Sequence, residues 1–401
     1  MEISEASLNF RLEKAIKSLK AIPVLAILIV ILAIDPPSGV SISLASLPQT
    51  KKVAQITNAR KGEADGLLQQ GMKQLNNGQL EAATLSWQQA LLIYRNLKDR
   101  LGESGSLGLL VRTYFLLNDA AKTIDFSQQW LDITRELKDR ENEKQALLMI
   151  GNAYILIDDY TKAIDRFQEL LTLTRTLKDR KNEGEALENL GEAHLLSGEN
   201  LRAIDYFKQR LALVRELKDR QNQGKALSKL GEAYKTLGDY AKAIDYYQQS
   251  LEIVRQFPDG NNEVLIIEEL GKAYDDLGEY AKAIDYYQQG LKNAHQLQEY
   301  SKEVLFLGKL GQAYKRLGYY AKATNYQQQS LDVASELKAQ GEEVFVLLEL
   351  ASGYLNIGSL GNYAQELEYS QQVLAIAQKL EDPRFEILAL IRLGGSHARY
   401  S

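Results

Sequence analysis

The sequence contains no cysteine and only three histidines, and its charges nearly balance. Without cysteine, disulfides, zinc–thiolate sites and a cysteine nucleophile are excluded. The net charge is −5, with 48 basic and 53 acidic side chains. This balance argues against nucleic acid as the main partner, because phosphate binding needs a basic face. The glycines form no GxGxxG or GxxxxGK[ST] loop of the kind that holds phosphate groups.

The histidines His194, His295 and His397 lie in separate segments of the chain, so one joint metal site is not expected. His194 and His397 occupy places where other segments carry tyrosine, which favours packed rings over ligands. His295 is expected near a helix C-terminus, where a partly charged imidazole suits the helix dipole. We predict no metal site, no cofactor and no catalytic residue, and hence a non-enzymatic protein.

An apolar run at Ala21–Ile34 follows three lysines between residues 14 and 20, and a small-x-small sequence ends at Ala45. A basic flank, a short apolar segment and such a site are typical of a secretory signal peptide. The run is shorter than the ~20 residues that a membrane span needs. We interpret residues 1–45 as a signal peptide cleaved before Ser46, as an uncleaved anchor, or as neither. The first expectation is a periplasmic or secreted protein; anchoring to the inner membrane by residues 21–34 is the alternative.

Residues 46–60 have no strong apolar periodicity and are expected to form a flexible lead-in, with helices beginning near Lys61. From there the chain repeats itself, and the sequence of residues 241–249 recurs unchanged at 281–289. A fixed period in this range marks a solenoid. Glycines stand 40 residues apart at Gly151, Gly191, Gly231, Gly271 and Gly311.

Each repeat is predicted to be a helical hairpin. In the repeat around Gly231, the absent side chain is expected to let a second helix approach, with Ala243 as the other half of the contact. Gly238 then ends the first helix, because glycine accepts a left-handed conformation. Asp239 is the N-cap candidate of the second helix. In most repeats LysAspArg makes the turn to the next repeat, and its Asp is the next N-cap.

This unit resembles the tetratricopeptide repeat, whose pattern is W-x2-L-G-x2-Y…A-x3-F…P. Two departures are the missing proline and a period of 40 rather than 34 residues; repeats of this longer kind occur in kinesin light chain and in cyanobacterial multi-repeat proteins. The places of the pattern, from W to F, are taken by Leu227, Leu230, Gly231, Tyr234, Ala243 and Tyr247.

The resemblance covers about residues 71–398 and implies an all-α, right-handed superhelical solenoid of antiparallel helix pairs. We expect about eight repeats within residues 61–398. A last helix, Pro383–His397, is expected to cover the end of the solenoid by packing Leu390 and Leu393, with Leu388 and Ile391 nearby, on the eighth repeat.

Two further sets of side chains recur with the period. The carboxylates of Asp165, Asp205, Asp245 and Asp285 are interpreted as surface partners of basic residues three positions earlier, such as Lys242. In the pairs Tyr246–Tyr247 and Tyr286–Tyr287, one ring is the core aromatic of the repeat. Packing between repeats is therefore favoured over a stacking platform for a ligand.

The resemblance also implies a concave groove lined mainly by first helices, in which the N-terminal half is apolar and the C-terminal half is charged. A peptide would be anchored near Phe115 and Ile155 and oriented by Lys235 and Arg316. Two alternatives stay open: these apolar residues belong to the core, or residues 46–60 fold back and fill the groove. The groove candidates are Leu75, Arg112, Phe115, Asn152, Ile155, Leu156, Glu192, Leu195, Lys235, Lys315 and Arg316.

The function expected from these features is a scaffold that binds a protein or peptide, without nucleic acid, and with a membrane only through residues 21–34 if they are not cleaved. The alternative is the sensor or regulatory arm of an enzyme on a separate chain, for example a caspase-like protease.

Overall fold

The computed structural model describes residues 48–257, 260–336, 347, 360–379 and 383–400. The described residues contain sixteen helices and no β-strand. The expected signal peptide or anchor of residues 1–45 lies outside these ranges. None of the helices within them is long and apolar enough to cross a membrane.

The first eight helices, in chain order, are α1 Pro48–Asn76, α2 Leu80–Leu97, α3 Arg100–Leu116, α4 Ala120–Leu137, α5 Arg140–Leu156, α6 Tyr160–Leu177, α7 Arg180–Leu196 and α8 Asn200–Glu216. The other eight are α9 Arg220–Thr236, α10 Tyr240–Val254, α11 Gly260–Asp276, α12 Tyr280–Leu297, α13 Tyr300–Arg316, α14 Tyr320–Glu336, α15 Leu360–Lys379 and α16 Pro383–Tyr400.

The chain divides into two compact bodies, one ending at Thr113 and the other beginning at Tyr114. In the first body α1 packs against α2, and the Trp87 indole donates a hydrogen bond of 3.2 Å to the carbonyl of Leu68. In the second body each helix from α4 to α13 packs against the next, and α15 packs against α16. This is the all-α solenoid of antiparallel helix pairs that the period predicts.

The lead-in differs from the expectation. The first helix begins at Pro48 rather than near Lys61, so residues 48–60 continue a helix and do not fold back from it. Proline is favoured at the first position of a helix, and residues 54–63 are all exposed. Because their side chains are exposed to solvent, this part of the helix has no buried apolar stripe, and its sequence shows no helical periodicity of apolar residues.

The predicted caps of the hairpins are confirmed. Gly238 has φ = 85°, and the Asp239 side chain accepts a hydrogen bond from the backbone N–H of Lys242. The LysAspArg turns work in the same way, since Asp219 accepts from the N–H of Asn222. In these turns a lysine, such as Lys178 with φ = 56°, takes the left-handed position that glycine holds elsewhere.

In most repeats of the second body the glycine of the first helix makes room for an aromatic ring. A Cβ atom added at Gly231 would lie 2.6 Å from the ring of Tyr247 on the second helix of the same repeat. The ring of Phe167 stands in the same way against Gly151. The nearest neighbour of Gly231 is thus the ring of Tyr247, one helical turn after the buried Ala243 that was expected to form the contact. We call the space that the glycine leaves for this ring the notch.

The repeat around Gly311 departs from this pattern, because Gln327 stands where Phe167 and Tyr247 stand in their repeats. Its side chain is 1% exposed, and neither amide atom has a partner within the described part of the chain. A buried polar group without a partner costs about 1–3 kcal/mol. We expect Gln327→Phe to raise the midpoint of urea unfolding by an amount equivalent to ~1–3 kcal/mol.

The control for this substitution is Gln329→Phe, two residues along α14. Gln329 is exposed, and its amide donates to the Asn325 side chain at 2.8 Å. An aromatic ring there gains little burial, so the midpoint should stay unchanged. A fall in the midpoint for Gln327→Phe would show that the amide is hydrated or bonded in solution.

The side on which the last helix packs matches the prediction only in part. In α16 the buried residue is Ala389, and Phe385 packs beside it against a core that includes Val373 of α15. Leu388, Leu390 and Ile391 are exposed, so the expectation that they pack on the eighth repeat is wrong. Residues 385, 389 and 393 follow one another at one-turn intervals, and Leu393 is half-buried. Of the predicted pair, only Leu390 therefore lies off the contact face of α16.

Candidate peptide-binding face

First helices of successive repeats lie side by side in the second body. Ion pairs connect Glu192 of α7 to Lys229 of α9 at 3.0 Å, and Glu268 of α11 to Lys302 of α13 at 2.7 Å. We call the surface formed by the partly exposed residues of α5, α7, α9, α11 and α13, together with Phe115 and Leu116 at the end of α3, the first-helix face. Most of the predicted groove residues lie on it.

The part of this face on α5 and α7 is apolar. Leu156 is 43% exposed and Leu196 is 53% exposed, each at the end of its helix. Beside them Ile155 and Leu195 are half-buried, and Leu195 packs against the core that contains Phe207. Two leucines with this exposure on neighbouring helices form an apolar surface, whereas Leu195 serves partly as core.

Polar side chains and one aromatic ring flank this apolar surface. Asn152 of α5 is half-buried, and Phe115 is half-buried at the end of α3. Glu192 of α7 is not free, because its carboxylate is held by Lys229. The structure therefore brings Phe115, Asn152, Ile155, Leu156, Glu192 and Leu195 onto the first-helix face.

The charged side chains of the face, on α9, α11 and α13, form ion pairs with one another. Lys235 forms an ion pair with Glu269, and Lys272 bridges Glu268 and Glu269 at 2.5 and 2.9 Å. Burial alone would raise the pKa of Glu268, but hydrogen bonds from Lys272 and Lys302 hold it below its usual range. A partner that used these charges would first have to break existing pairs.

The two remaining basic candidates lie at the end of α13. The Arg316 guanidinium binds Asp275 at 2.8 Å and stands 5.6 Å from the centre of the Tyr280 ring. Burial raises the pKa of the Asp275 carboxyl, and the positive charge of Arg316 offsets only part of that rise. Lys315 is half-buried. The ion pair of Arg316 with Asp275 connects neighbouring repeats.

Leu75 and Arg112 belong to the first body. Leu75 is half-buried on α1, and Arg112 is exposed on α3. The candidate face described here lies wholly in the second body and does not include them.

Sequence reasoning missed a repeated ring stack. The rings of Tyr234 and Tyr246 stack with centroids 5.3 Å apart, and the Lys242 ammonium lies 5.2 Å from the Tyr234 centroid. The same ammonium pairs with Asp239 at 2.6 Å. The signal was available as rings twelve residues apart in five repeats, three of which have tyrosine at both places.

The observed partners of the recurring aspartates differ from the expected surface pairs. Lys242 does not pair with Asp245, whose carboxylate instead accepts from the Gln249 amide at 2.9 Å. The ammonium of Lys242 is already paired with the N-cap carboxylate of Asp239, so Asp245 binds the Gln249 amide instead.

The packed ring predicted for His194 is confirmed: it is 3% exposed and stacks on Tyr206, and Nδ1 lies 2.8 Å from Glu199.

Within the described residues, no three His, Asp or Glu side chains are grouped so as to hold a metal ion. What the arrangement offers is contact surface: an apolar area on α5 and α7, and a set of internally neutralised charges on α9, α11 and α13.

Repeated helical hairpins with glycine–ring notches define a helical-repeat protein. Two family models, both described as tetratricopeptide repeat, match the chain, one at residues 145–216 and 222–295 and the other at 306–336. The matched segments are tetratricopeptide repeats, as the residue pattern predicts. Among curated proteins, no relative matches the sequence.

Solved structures show the same fold at low sequence identity. The STAND signal-transduction ATPase with a tetratricopeptide repeat sensor from Pyrococcus horikoshii is 17% identical, with a TM-score of 0.56, over 81% of this chain and 50% of that one. This chain thus spans half the length of that protein. Apo RapI is 14% identical, with a TM-score of 0.50, over 69% and 99% of the two chains. Aspartyl phosphate phosphatase F from Bacillus subtilis is 17% identical, with a TM-score of 0.50, over 73% and 76%.

Tetratricopeptide solenoids are in general non-enzymatic scaffolds for protein binding, and this fold fits that role. At these identities the structural likeness supports the fold, while the function rests on the site.

Proposed function

We propose that the chain is a non-enzymatic scaffold that binds a protein segment on the apolar part of its first-helix face. The observation that carries this proposal is the exposure of Leu156 and Leu196 on neighbouring first helices. Exposed apolar surface of this kind marks binding sites. Full burial of a leucine side chain contributes about 1.5–3 kcal/mol, so two half-exposed leucines supply an anchor for a peptide.

The neighbouring charges support an apolar mode of binding. Lys235, Glu269 and Lys272 neutralise one another, and exposed ion pairs contribute little affinity. Asn152, half-buried beside Ile155, has an amide that suits the main chain of an extended segment. The predicted orienting role of Lys235 and Arg316 remains a part of this proposal, and it requires exchange of their present partners.

The test uses peptides selected from a displayed library on the wild-type protein. For the double variant Leu156→Asp with Leu196→Asp, we expect the Kd of these peptides to rise by tenfold or more, since each tenfold step corresponds to ~1.4 kcal/mol. Both positions are well exposed, and substitutions of this kind usually change stability by about 0.5 kcal/mol or less. Binding is measured by calorimetry, and helicity and melting by circular dichroism.

The matched control is Leu177→Asp with Leu201→Asp. These leucines are 40% and 71% exposed but belong to the second helices α6 and α8. Peptide binding should persist in this control. Equal affinity for both double variants would reject the proposed face, and unfolding of the first variant would assign its leucines to the core.

A second candidate function is a regulatory arm that acts on an enzyme of another chain. It is favoured by the likeness to the STAND protein, whose repeats are described as a sensor. The test is an enzyme assay with and without the purified chain, once a catalytic protein co-purifies with it. A bound enzyme with unchanged turnover would favour the plain scaffold.

We further propose that the protein is exported, on the basis of the apolar run at residues 21–34 and its basic flank. Cells that express the full chain are fractionated, and the intact mass of the product is measured. A soluble envelope species that begins at Ser46 is expected. A full-length membrane species would instead support the inner-membrane anchor, and a full-length cytoplasmic species would reject export.

A further inference from the structure

A cavity of about 200 Å³ opens between α9, the end of α10 and α11. It exists because α10 ends at Val254, whereas the corresponding helices α6 and α12 continue to Leu177 and Leu297. The sequence explains the early end, since Phe257 precedes Pro258 and a residue before proline avoids the helical conformation. Gly224 lines the cavity on the α9 side, where an added Cβ atom would lie 3.3 Å from the side chain of Val254.

The walls of the cavity are mainly apolar. Val254 and Phe257 line it from α10 and the residues that follow, and Leu265 and Ile266 line it from α11. Leu265 is 48% exposed, whereas Ile266 is buried. A half-exposed leucine above a buried isoleucine leaves an apolar recess that is accessible from solvent.

The rim carries one cation without an ion pair. Lys225 is exposed and forms no ion pair among the residues that the structure describes, although Lys229 one turn away is held by Glu192 and Glu232. The carboxylate of Glu188 also borders the cavity, but the buried Arg210 guanidinium binds it at 2.6 Å. The available charge at the mouth of the cavity is therefore the ammonium of Lys225.

We propose that this cavity binds one apolar side chain of a partner peptide whose neighbouring residue is acidic. A volume of about 200 Å³ lies below the ~300–1,000 Å³ of sites for whole small molecules, which favours a single side chain. The apolar walls take a leucine-sized group, and Lys225 takes the adjacent carboxylate. The peptide as ligand rests on the proposed function, but the pocket shares no residue with the apolar surface around Leu156.

The test uses the full chain and three dipeptide probes: acetyl-Leu-Glu-amide, acetyl-Leu-Gln-amide and acetyl-Ala-Glu-amide. Binding is followed by the NMR shifts of the methyl groups of Val254, Leu265 and Ile266. We expect saturable shifts with the Leu-Glu probe, binding about fivefold weaker with the neutral Leu-Gln probe, as for loss of one exposed ion pair, and no saturation with the Ala-Glu probe.

Two variants at exposed positions test the two parts of the pocket. Lys225→Ala should weaken the Leu-Glu probe about fivefold and leave the Leu-Gln probe unchanged, and Leu265→Ser should abolish the shifts of Val254 and Ile266. Lys292→Ala, an exposed lysine on α12, is the control and should bind as wild type. Equal binding of the charged and neutral probes, or methyl shifts spread over other surfaces, would overturn the proposal.

The same titration on the Leu156→Asp, Leu196→Asp protein separates this inference from the proposed function. Retained probe binding with lost library-peptide binding supports both sites as distinct. If the Leu-Glu probe binds neither protein while the library peptides still depend on Leu156 and Leu196, only the pocket is rejected.

Discussion

Gly231→Ala is expected to lower the stability of the second body by about 1–3 kcal/mol, the usual cost of forcing an extra carbon into a packed core. The new Cβ would lie 2.6 Å from the ring of Tyr247, which is itself 1% exposed. Because Tyr247 is surrounded by packed side chains, its ring cannot move away without displacing them. In an open helix the same substitution would stabilise by roughly 0.5–1 kcal/mol, so the steric cost has to exceed that gain.

Gly308→Ala is the matched control in α13. A Cβ atom at Gly308 meets nothing within 4 Å, and the helix gains about 0.5–1 kcal/mol from replacement of glycine. The two substitutions are chemically identical and are predicted to have opposite signs. Urea unfolding, followed by far-UV circular dichroism, measures both. A destabilised Gly308→Ala or a stabilised Gly231→Ala would contradict the notch that the structure shows.

The spacing of the glycine and the ring could be recognised in the sequence, because both residues lie within one repeat. Gly231 and Tyr247 are sixteen residues apart and recur with the period as Gly271 and Tyr287. Hairpin caps such as Asp239 are equally local, since the capping carboxylate and its N–H are separated by three residues. The helix-pair solenoid therefore follows from short-range patterns.

Contacts between repeats could not be predicted from the sequence in the same way. The pair Lys235–Glu269 joins residues 34 positions apart, and several other carboxylates near Lys235 in sequence compete as partners. The choice depends on how far neighbouring first helices are offset, which no local pattern specifies. Leu195 shows the same limit: its place on the first helix matches that of a groove residue, yet its side chain packs against the core.

The cavity beside Lys225 depends on a small departure from the period. Phe257 and Pro258 replace the usual leucine and lysine at the turn, and the helix before them ends early. Sequence comparison among repeats identifies the departure, but only the packing of α11 against α10 decides whether the gap closes or stays open. The rotation of α16 about Phe385 and Ala389 is unpredictable for the same reason.

Glu188→Gln is expected to destabilise the second body by about 3–5 kcal/mol, whereas Arg210→Leu should be neutral or stabilising. Arg210 is 5% exposed, and its guanidinium binds the Glu188 carboxylate at 2.6 Å. Its Nε and Nη1 atoms have no hydrogen-bond partner within the described residues. Burial lowers the pKa of Arg210 and raises that of Glu188, so both charged forms are held at a cost.

The asymmetry follows from what each substitution leaves behind. Without Glu188, a buried cation loses its bonded counter-ion, which is the costly case. Without Arg210, the Glu188 carboxylate regains water, because its side chain is already 27% exposed. Other repeats hold Leu170 or Ser250 at the place of Arg210, so the fold accepts uncharged groups there.

The double variant, Glu188→Gln with Arg210→Leu, serves as the control for this pair. It removes the buried cation together with its counter-ion, so most of the loss caused by Glu188→Gln alone should disappear. Coupling of about 3 kcal/mol between the two sites, measured by urea unfolding at pH 7, is the expected result. Equal losses for both single variants would mean that Arg210 stabilises the junction of α7, α8 and α9 through bonds formed in solution, and that its buried charge is no burden on the fold.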